Sequence, residues 1–216
     1  MRRSIEPLYD GRNGGLSRAL TRKLRTGRPL RKRRRRPQER SPRFISPGLL
    51  IDHRPIAATE RSRIGDWEGD LITGRGGLSA IGTLVCRHSR YIKLIHLPGR
   101  RTAEELLSGL RTTLAELPES MRLTLTWDQG SEMAGHAQIA ALFSEGVFFA
   151  HAGKPWQRPT NENSNGLLRQ YFPKGSDLRI HTAEDLRAVE ERINTRPRKT
   201  LNWTTPASIL AAALPS

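Results

Sequence analysis

A single cysteine, Cys86, stands in the 216 residues. No internal disulfide is therefore possible, and a zinc ribbon built on cysteine pairs is excluded. The flanks of Cys86, TLVCRHSR, read as a buried strand, so the thiol is expected to be a small core residue. No apolar run approaches the ~18 residues that a membrane-spanning helix needs. The N-terminus, MRRSIEPLYDG, has basic residues but lacks the apolar segment of a secretory signal. A cytoplasmic protein without membrane contact is the resulting expectation. Apolar residues make up only 36% of the chain, low for one that is globular throughout. Acid is also scarce, with 21 Asp and Glu against 37 Lys and Arg, a net charge of +16. Such an excess favours a polyanionic partner, nucleic acid or an acidic membrane surface.

The charge is uneven. Residues 1–60 hold 17 Lys and Arg against 5 Asp and Glu, a net of +12, which leaves +4 for residues 61–216. Arg31, Lys32, Arg33, Arg34, Arg35 and Arg36 are consecutive, and their mutual repulsion disfavours packing them into a core. Pro37, Pro42, Pro47 and Pro55 then punctuate an extended stretch. Residues 1–60 read as a basic arm and linker with little core of their own, broken by a short helix over Ser17–Leu24. The six cations are candidates for phosphate contact.

From Ile64 the pattern changes. GDWEGDLITG, SAIGTLVCRH and RYIKLIHLPG are short β-rich runs joined by turns, as in a three-strand antiparallel meander. TAEELLSGLRTTLAELP follows, with Thr102 as cap, Glu105 three residues on in a capping-box pattern, and Leu106, Leu107, Leu110, Leu114 and Leu117 on one stripe. RLTLTWDQG predicts a further strand, EMAGHAQIAALFSEG a helix ending before Gly146, and VFFAHA a short strand. Helices are expected over 161–172, 183–194 and 206–213. This order implies a mixed α/β sheet with helices packed on it. The body is expected over 61–200, with a C-terminal helix and tail over 201–216.

Three acids stand out. Asp70 falls inside the first strand, where alternation puts Glu68, Asp70 and Ile72 on one face and Trp67, Gly69 and Leu71 on the other. A carboxylate there is costly unless it is paired or binds metal. Asp128 ends the fourth strand, and Glu162 opens a later helix. Each alone is an ordinary structural residue: Asp128 a turn-former, Asp70 an arginine's partner. Together in a basic protein they suggest more. Hard divalent ions such as Mg²⁺ take carboxylate oxygens, and two such ions can clamp the attacking and leaving oxygens of a phosphodiester.

GDWEGDLITG, TWDQGSEMAGH, WQRPTNENSNGLLRQYFPKGSDL and NTRPRKTLNWTTP resemble the DDE-type transposases of bacterial insertion sequences, in particular the IS-thirty group. The resemblance covers roughly residues 15–212. It carries the family's acid triad onto Asp70, Asp128 and Glu162, and the 33 residues between the last two match that group's spacing. It implies a ribonuclease-H-like, retroviral-integrase-like α/β fold with helices on both faces of a mixed sheet, preceded by the basic extended arm. It implies two Mg²⁺ ions, with Mn²⁺ as substitute, held by Asp70, Asp128 and Glu162. The implied activity is cleavage that frees a DNA 3′ end and transfer of that end to target DNA. The implied partners are double-stranded transposon ends and target, with a homo-oligomer in the active complex at the bacterial nucleoid. The likeness begins at the basic linker, so the family's end-reading helix-turn-helix is not expected here. Pro159 stands where glycine is expected in relatives. A truncated, catalytically incompetent transposase acting as a DNA-binding modulator is the alternative reading.

Around Glu162 cluster Lys154, Trp156, Arg158, Asn161, Asn163, Asn165, Arg169 and Lys174, and later come Arg196, Arg198 and Lys199. All are candidate DNA contacts; the plain alternative is a solvated helix face, and for the last three a role on the preceding helix's final carbonyls. The helix over 161–172 is expected to pack through Leu167, Leu168, Tyr171 and Phe172 and to present Glu162, Asn165, Gly166 and Arg169. Glu68 is a further candidate ligand, whereas Asp66 is expected to face solvent. Glu132 and His136 read as a helix-surface pair.

Overall fold

The computed structural model describes residues 45–99 and 102–214, with Pro155 and Glu162 described through their backbone only. The expected helix over Ser17–Leu24 and the cations Arg31 to Arg36 lie outside the described residues.

Five strands form one sheet: β1 (Asp66–Thr73), β2 (Ala80–Cys86), β3 (Ile92–Leu97), β4 (Thr124–Trp127) and β5 (Val147–Phe149), in the order β3-β2-β1-β4-β5. The first three form the expected antiparallel meander. The fourth returns beside the first in parallel, as a helical crossover allows. The described helices are α1 (Ile56–Glu60), α2 (Ala103–Ala115), α3 (His136–Ala140), α4 (Pro159–Leu168), α5 (Ala183–Asn194) and α6 (Pro206–Ala211). Among the described residues no helix is long and apolar enough to cross a membrane.

Strand alternation divides the core in two. Trp67, Leu84, Ile95, Leu125 and Trp127 meet Leu106, Leu110 and Leu114 of α2 and Ile139 of α3 on one face. Ile72, Ile81, Val85, Ile92 and Leu94 meet Leu168, Phe172, Leu186 and Ile193 on the other. Each such fully buried side chain contributes about 2 kcal/mol. The leucine stripe of α2 is buried as its spacing requires. Its cap holds, with Thr102 Oγ1 accepting the Glu105 N–H, while the Glu105 carboxylate reaches Gly99 N. Cys86 is buried in the first core.

Three expectations need correction. The helix expected over 132–145 is a single turn at Ser131–Met133 followed by α3, with Gly135 at its N-cap; Gly135 favours no helical conformation strongly enough to carry one turn into the next. Glu132 accepts from Trp127 Nε1, and His136 bonds the Met133 carbonyl and meets Phe149 edge-on. Asp66 does not face solvent. It is fully buried, held by Arg63 at 2.9 Å and by Thr124 Oγ1 at 2.7 Å.

Residues 45–60, read from sequence as part of the arm, pack on the sheet. Ala58 is fully buried, Ile45 and Leu49 lie against the first core, and Leu50 bridges to Phe149. Arg54 donates to Thr126 Oγ1 at 3.0 Å. Burial and the neighbouring Arg87 hold the Arg54 guanidinium down to about 10, against opposing pulls from Glu68 and Asp66.

Candidate active site

The parallel register of β1 and β4 sets the geometry. Asp66, Trp67 and Glu68 pair with Thr124, Leu125 and Thr126. Continued by two residues, that register places Asp70 level with Asp128 at one end of the sheet. Gly69, between Glu68 and Asp70, is required by packing, because a Cβ there would run into the Trp127 ring.

One guanidinium joins the two acids. Arg158, the residue just before α4, places Nη1 3.7 Å from Asp70 Oδ1 and Nη2 3.4 Å from Asp128 Oδ2. Nη1 also donates to the Gly69 carbonyl at 2.9 Å. Asp70 accepts from Leu71 N at 2.9 Å and from Asn165 Nδ2 at 2.8 Å. Burial pushes the Asp70 carboxyl above its ordinary range; Arg158 opposes this, and the Asp128 charge reinforces it. A carboxylate held against its preference for water is poised for a cation stronger than one shared guanidinium.

Glu162 lies in α4, which opens with Pro159, a residue suited to a first helical position. Its side chain is outside the described residues. The helix is set against β1 on both sides of it. Asn161 N donates to Glu68 Oε2 at 3.2 Å, and Asn165 bonds Asp70. The face turned inward is not the expected leucine stripe alone. Thr160, Asn161, Ser164 and Leu168 are buried, and small polar residues let the helix lie close to the strand. Tyr171 and Phe172 follow the helix rather than lying in it, with Phe172 in the second core.

Glu68, the further candidate ligand, is engaged elsewhere. It is fully buried and ion-paired with Arg87, which also donates to the Ala58 carbonyl at 2.6 Å. Asp128 Oδ1 and Asn165 Oδ1, by contrast, are buried without a hydrogen-bond partner. Orphaned oxygens beside two carboxylates fit a hard divalent cation, which takes oxygen donors of just these kinds. Among the described residues no three His, Cys, Asp or Glu side chains form a metal cluster; Asp70 and Asp128 supply two carboxylates, on the same end of the sheet.

The candidate DNA contacts separate by exposure. Lys154, Trp156, Asn163, Lys174, Arg196 and Lys199 are exposed. Asn161 is buried, and Asn165 and Arg158 are turned to the acids. Arg169 donates to the Thr73 and Phe172 carbonyls, and Arg198 reaches the Ile193 carbonyl in the last turn of α5. Arg158 as an acid bridge, and Arg87 and Arg54 as buried supports, were not legible in sequence; the single signal was an arginine directly before a proline-opened helix.

The integrase core domain family model matches residues 61–155. The chain is 45% identical over 208 residues to the transposase for insertion sequence element IS1086 of Cupriavidus metallidurans, covering 96% of this chain and 60% of that protein. It is 41% identical over 189 residues to transposase InsI for insertion sequence element IS30A of Escherichia coli, covering 87% and 49%. The chain thus spans roughly half to three-fifths of the length of these relatives. Among solved structures, the catalytic core of BIV integrase is similar at a TM-score of 0.50 and 15% identity, covering 68% of this chain and 93% of that one. A chain of the simian T-cell lymphotropic virus intasome is similar at 0.52 and 22%, covering 69% and 55%. These likenesses establish the retroviral-integrase-like, ribonuclease-H-like fold.

Proposed function

From the premise that the chain belongs to the DDE transposases of the IS30 family, we propose that it is a transposase catalytic core that frees a 3′ end at transposon DNA and joins it to target DNA. The observation that carries this reading is the delivery of Asp70 and Asp128 to one guanidinium by two strands paired in parallel. The helix that carries Glu162, α4, is bonded to β1 at Asn161 and Asn165, which supports assigning Glu162 as the third acid.

Asp70, Asp128 and Glu162 would hold two Mg²⁺ ions, with Mn²⁺ as substitute. Bound there, the ions would neutralise charge building on the transferred phosphoryl group. The chain's own residues prepare the site. Arg158 offsets the mutual repulsion of Asp70 and Asp128 and keeps their oxygens turned to a common point. Asn165 and the Leu71 N–H fix the rotation of the Asp70 carboxylate. Lys154, Trp156, Asn163, Lys174, Arg196 and Lys199 are the exposed groups suited to DNA contact. The basic residues Arg31 to Arg36 add sequence-independent attraction within an arm that precedes the packed segment starting at Ile45, ahead of a core reaching residue 200 and a C-terminal helix and tail over 201–216. Double-stranded ends and target, a homo-oligomeric complex and action at the nucleoid complete the reading.

The test uses a labelled DNA end with Mg²⁺ or Mn²⁺, comparing wild type with Asp128→Asn and Glu162→Gln. Wild type should nick and join, and both variants should lose at least about a hundredfold in rate. Variants equal to wild type would refute the assignment of the acids. DNA binding without any nicking by wild type would favour the modulator reading instead.

A further inference from the structure

The four tryptophans divide evenly. Trp67 and Trp127 are fully buried, whereas Trp156 and Trp203 are 65% and 69% exposed. Trp156 belongs to the candidate site. Trp203 has no part in it, and its backbone is unusual. Asn202 and Trp203 both lie in the left-handed region, at φ +52° and +64°. Asparagine tolerates that region; a bulky residue there is strained.

The loop imposes this conformation by closing on Arg198. The Arg198 carbonyl accepts from both Leu201 N and Trp203 N at 2.9 Å, and Arg198 N donates to the Thr204 carbonyl at 3.1 Å. The Arg198 side chain anchors the loop to the end of α5, and Thr205 then caps α6. A hydrogen-bonded loop thus holds an indole in solvent on a left-handed backbone. Packing gives no reason for it, since the ring is exposed. Its stretch of sequence is cationic: Arg192, Arg196 and Lys199 are exposed, and no Asp or Glu occurs after Glu191. The sequence neighbours Lys199, Thr200, Asn202 and Thr204 are exposed polar residues, unlike the contiguous apolar centre of a protein interface.

We propose that Trp203 is a stacking platform for an unpaired DNA base, with Arg196 and Lys199 engaging the flanking phosphates. An indole offers a broad face, one N–H donor and no charge, so stacking is the larger contribution it can make to DNA. Bases expose their faces only where the duplex is open, as at a frayed or nicked end. The proposal rests on the DNA reading above, but not on the acids.

Binding of two labelled DNAs, a blunt duplex and the same duplex with a short unpaired tail, is read by fluorescence anisotropy in EDTA. Cleavage plays no part, so failure of the catalytic reading leaves this result intact. Trp203→Ala should weaken binding to the tailed DNA about tenfold and change binding to the blunt duplex by less than about twofold. Trp203→Phe should stay within about threefold of wild type on both, because a smaller aromatic face remains. Arg196→Ala should flatten the salt dependence, and Trp203→Ala should not. Trp203→Gly should lose the tailed-DNA preference yet melt at a higher temperature, because glycine relieves the left-handed backbone. Equal losses on both DNAs, or unchanged binding by Trp203→Ala, would overturn the proposal. So would a lowered melting temperature for Trp203→Gly, or a Trp203→Ala defect confined to self-association in sedimentation, which would mark a protein contact.

Discussion

Asn194 returns both backbone hydrogen bonds of Ile92: its Nδ2 donates to the Ile92 carbonyl at 2.8 Å, and its Oδ1 accepts the Ile92 N–H at 2.9 Å. One turn earlier on α5, Glu190 accepts the Leu94 N–H. β3 is an edge of the sheet, and its outward-facing amides at Ile92 and Leu94 are thereby satisfied within the chain. An edge so covered is poorly suited to pairing with a strand of another molecule.

Asn194→Ala leaves a buried donor and a buried acceptor unpaired at Ile92. It should cost about 2–4 kcal/mol in urea unfolding. Glu190→Gln keeps an acceptor for Leu94 and removes a carboxylate that burial pushes above its ordinary range. It should change stability by less than about 1 kcal/mol.

Glu68 and Arg87 form a buried ion pair beneath the site. Glu68→Ala would leave Arg87 buried beside Arg54 without its countercharge, and should destabilise the protein by about 3–5 kcal/mol. Replacing both residues by apolar ones of similar size should recover much of that loss. Thermal unfolding of the single and double variants in EDTA distinguishes this supporting role from direct metal ligation.

Asp70 carries a pH signature. Its folded pKa lies above the unfolded one because of burial, with Arg158 opposing and Asp128 reinforcing. Between the two values the folded state holds the proton more tightly, so stability falls as pH rises through that window. In EDTA, Asp70→Asn should therefore melt above wild type at neutral pH. The difference should close as pH falls below the unfolded aspartate value of about 3.9. Added Mn²⁺ should raise the wild-type melting temperature and leave Asp70→Asn nearly unmoved.

Arg158 stabilises the two carboxylates and competes for them. Arg158→Gln should lower the melting temperature in EDTA, since Asp70 and Asp128 then repel without compensation. The same change should tighten Mn²⁺ binding about tenfold by calorimetry, because a like charge a few ångströms away is gone. Unchanged Mn²⁺ affinity would show that the guanidinium and the ion do not share these oxygens.

Local signals carried far in this chain. The full capping box at Thr182 and Asp185 opens α5 where the pattern placed it, and Pro206 opens α6. Strand alternation correctly separated Asp70 from Leu71; the element order permits the return of β4 beside β1 without requiring it, and the family resemblance implies it. Long-range polar contacts were not legible. Asp66 reads as solvent-facing because, beyond the local Arg63, the strand that buries it brings Thr124 from 58 residues away. Asn161 reads as a surface amide because nothing nearby in sequence announces Glu68 as an acceptor for its N–H. Arg158 reads as a phosphate ligand because its two acids arrive from separate strands.

The attachment of α4 works as a gauge. Asn161 and Asn165 are four residues apart on a helix, a rise of about 6.0 Å. Glu68 and Asp70 are two apart on a strand, about 6.6 Å. The two intervals nearly coincide, so both bonds close together when helix and strand run in the same sense. A slip of one residue would carry each amide about 100° around the helix axis and break both at once. The position of the α4 backbone along strand β1 is therefore calibrated by the strand itself. The loop before α4 can vary in length without altering it.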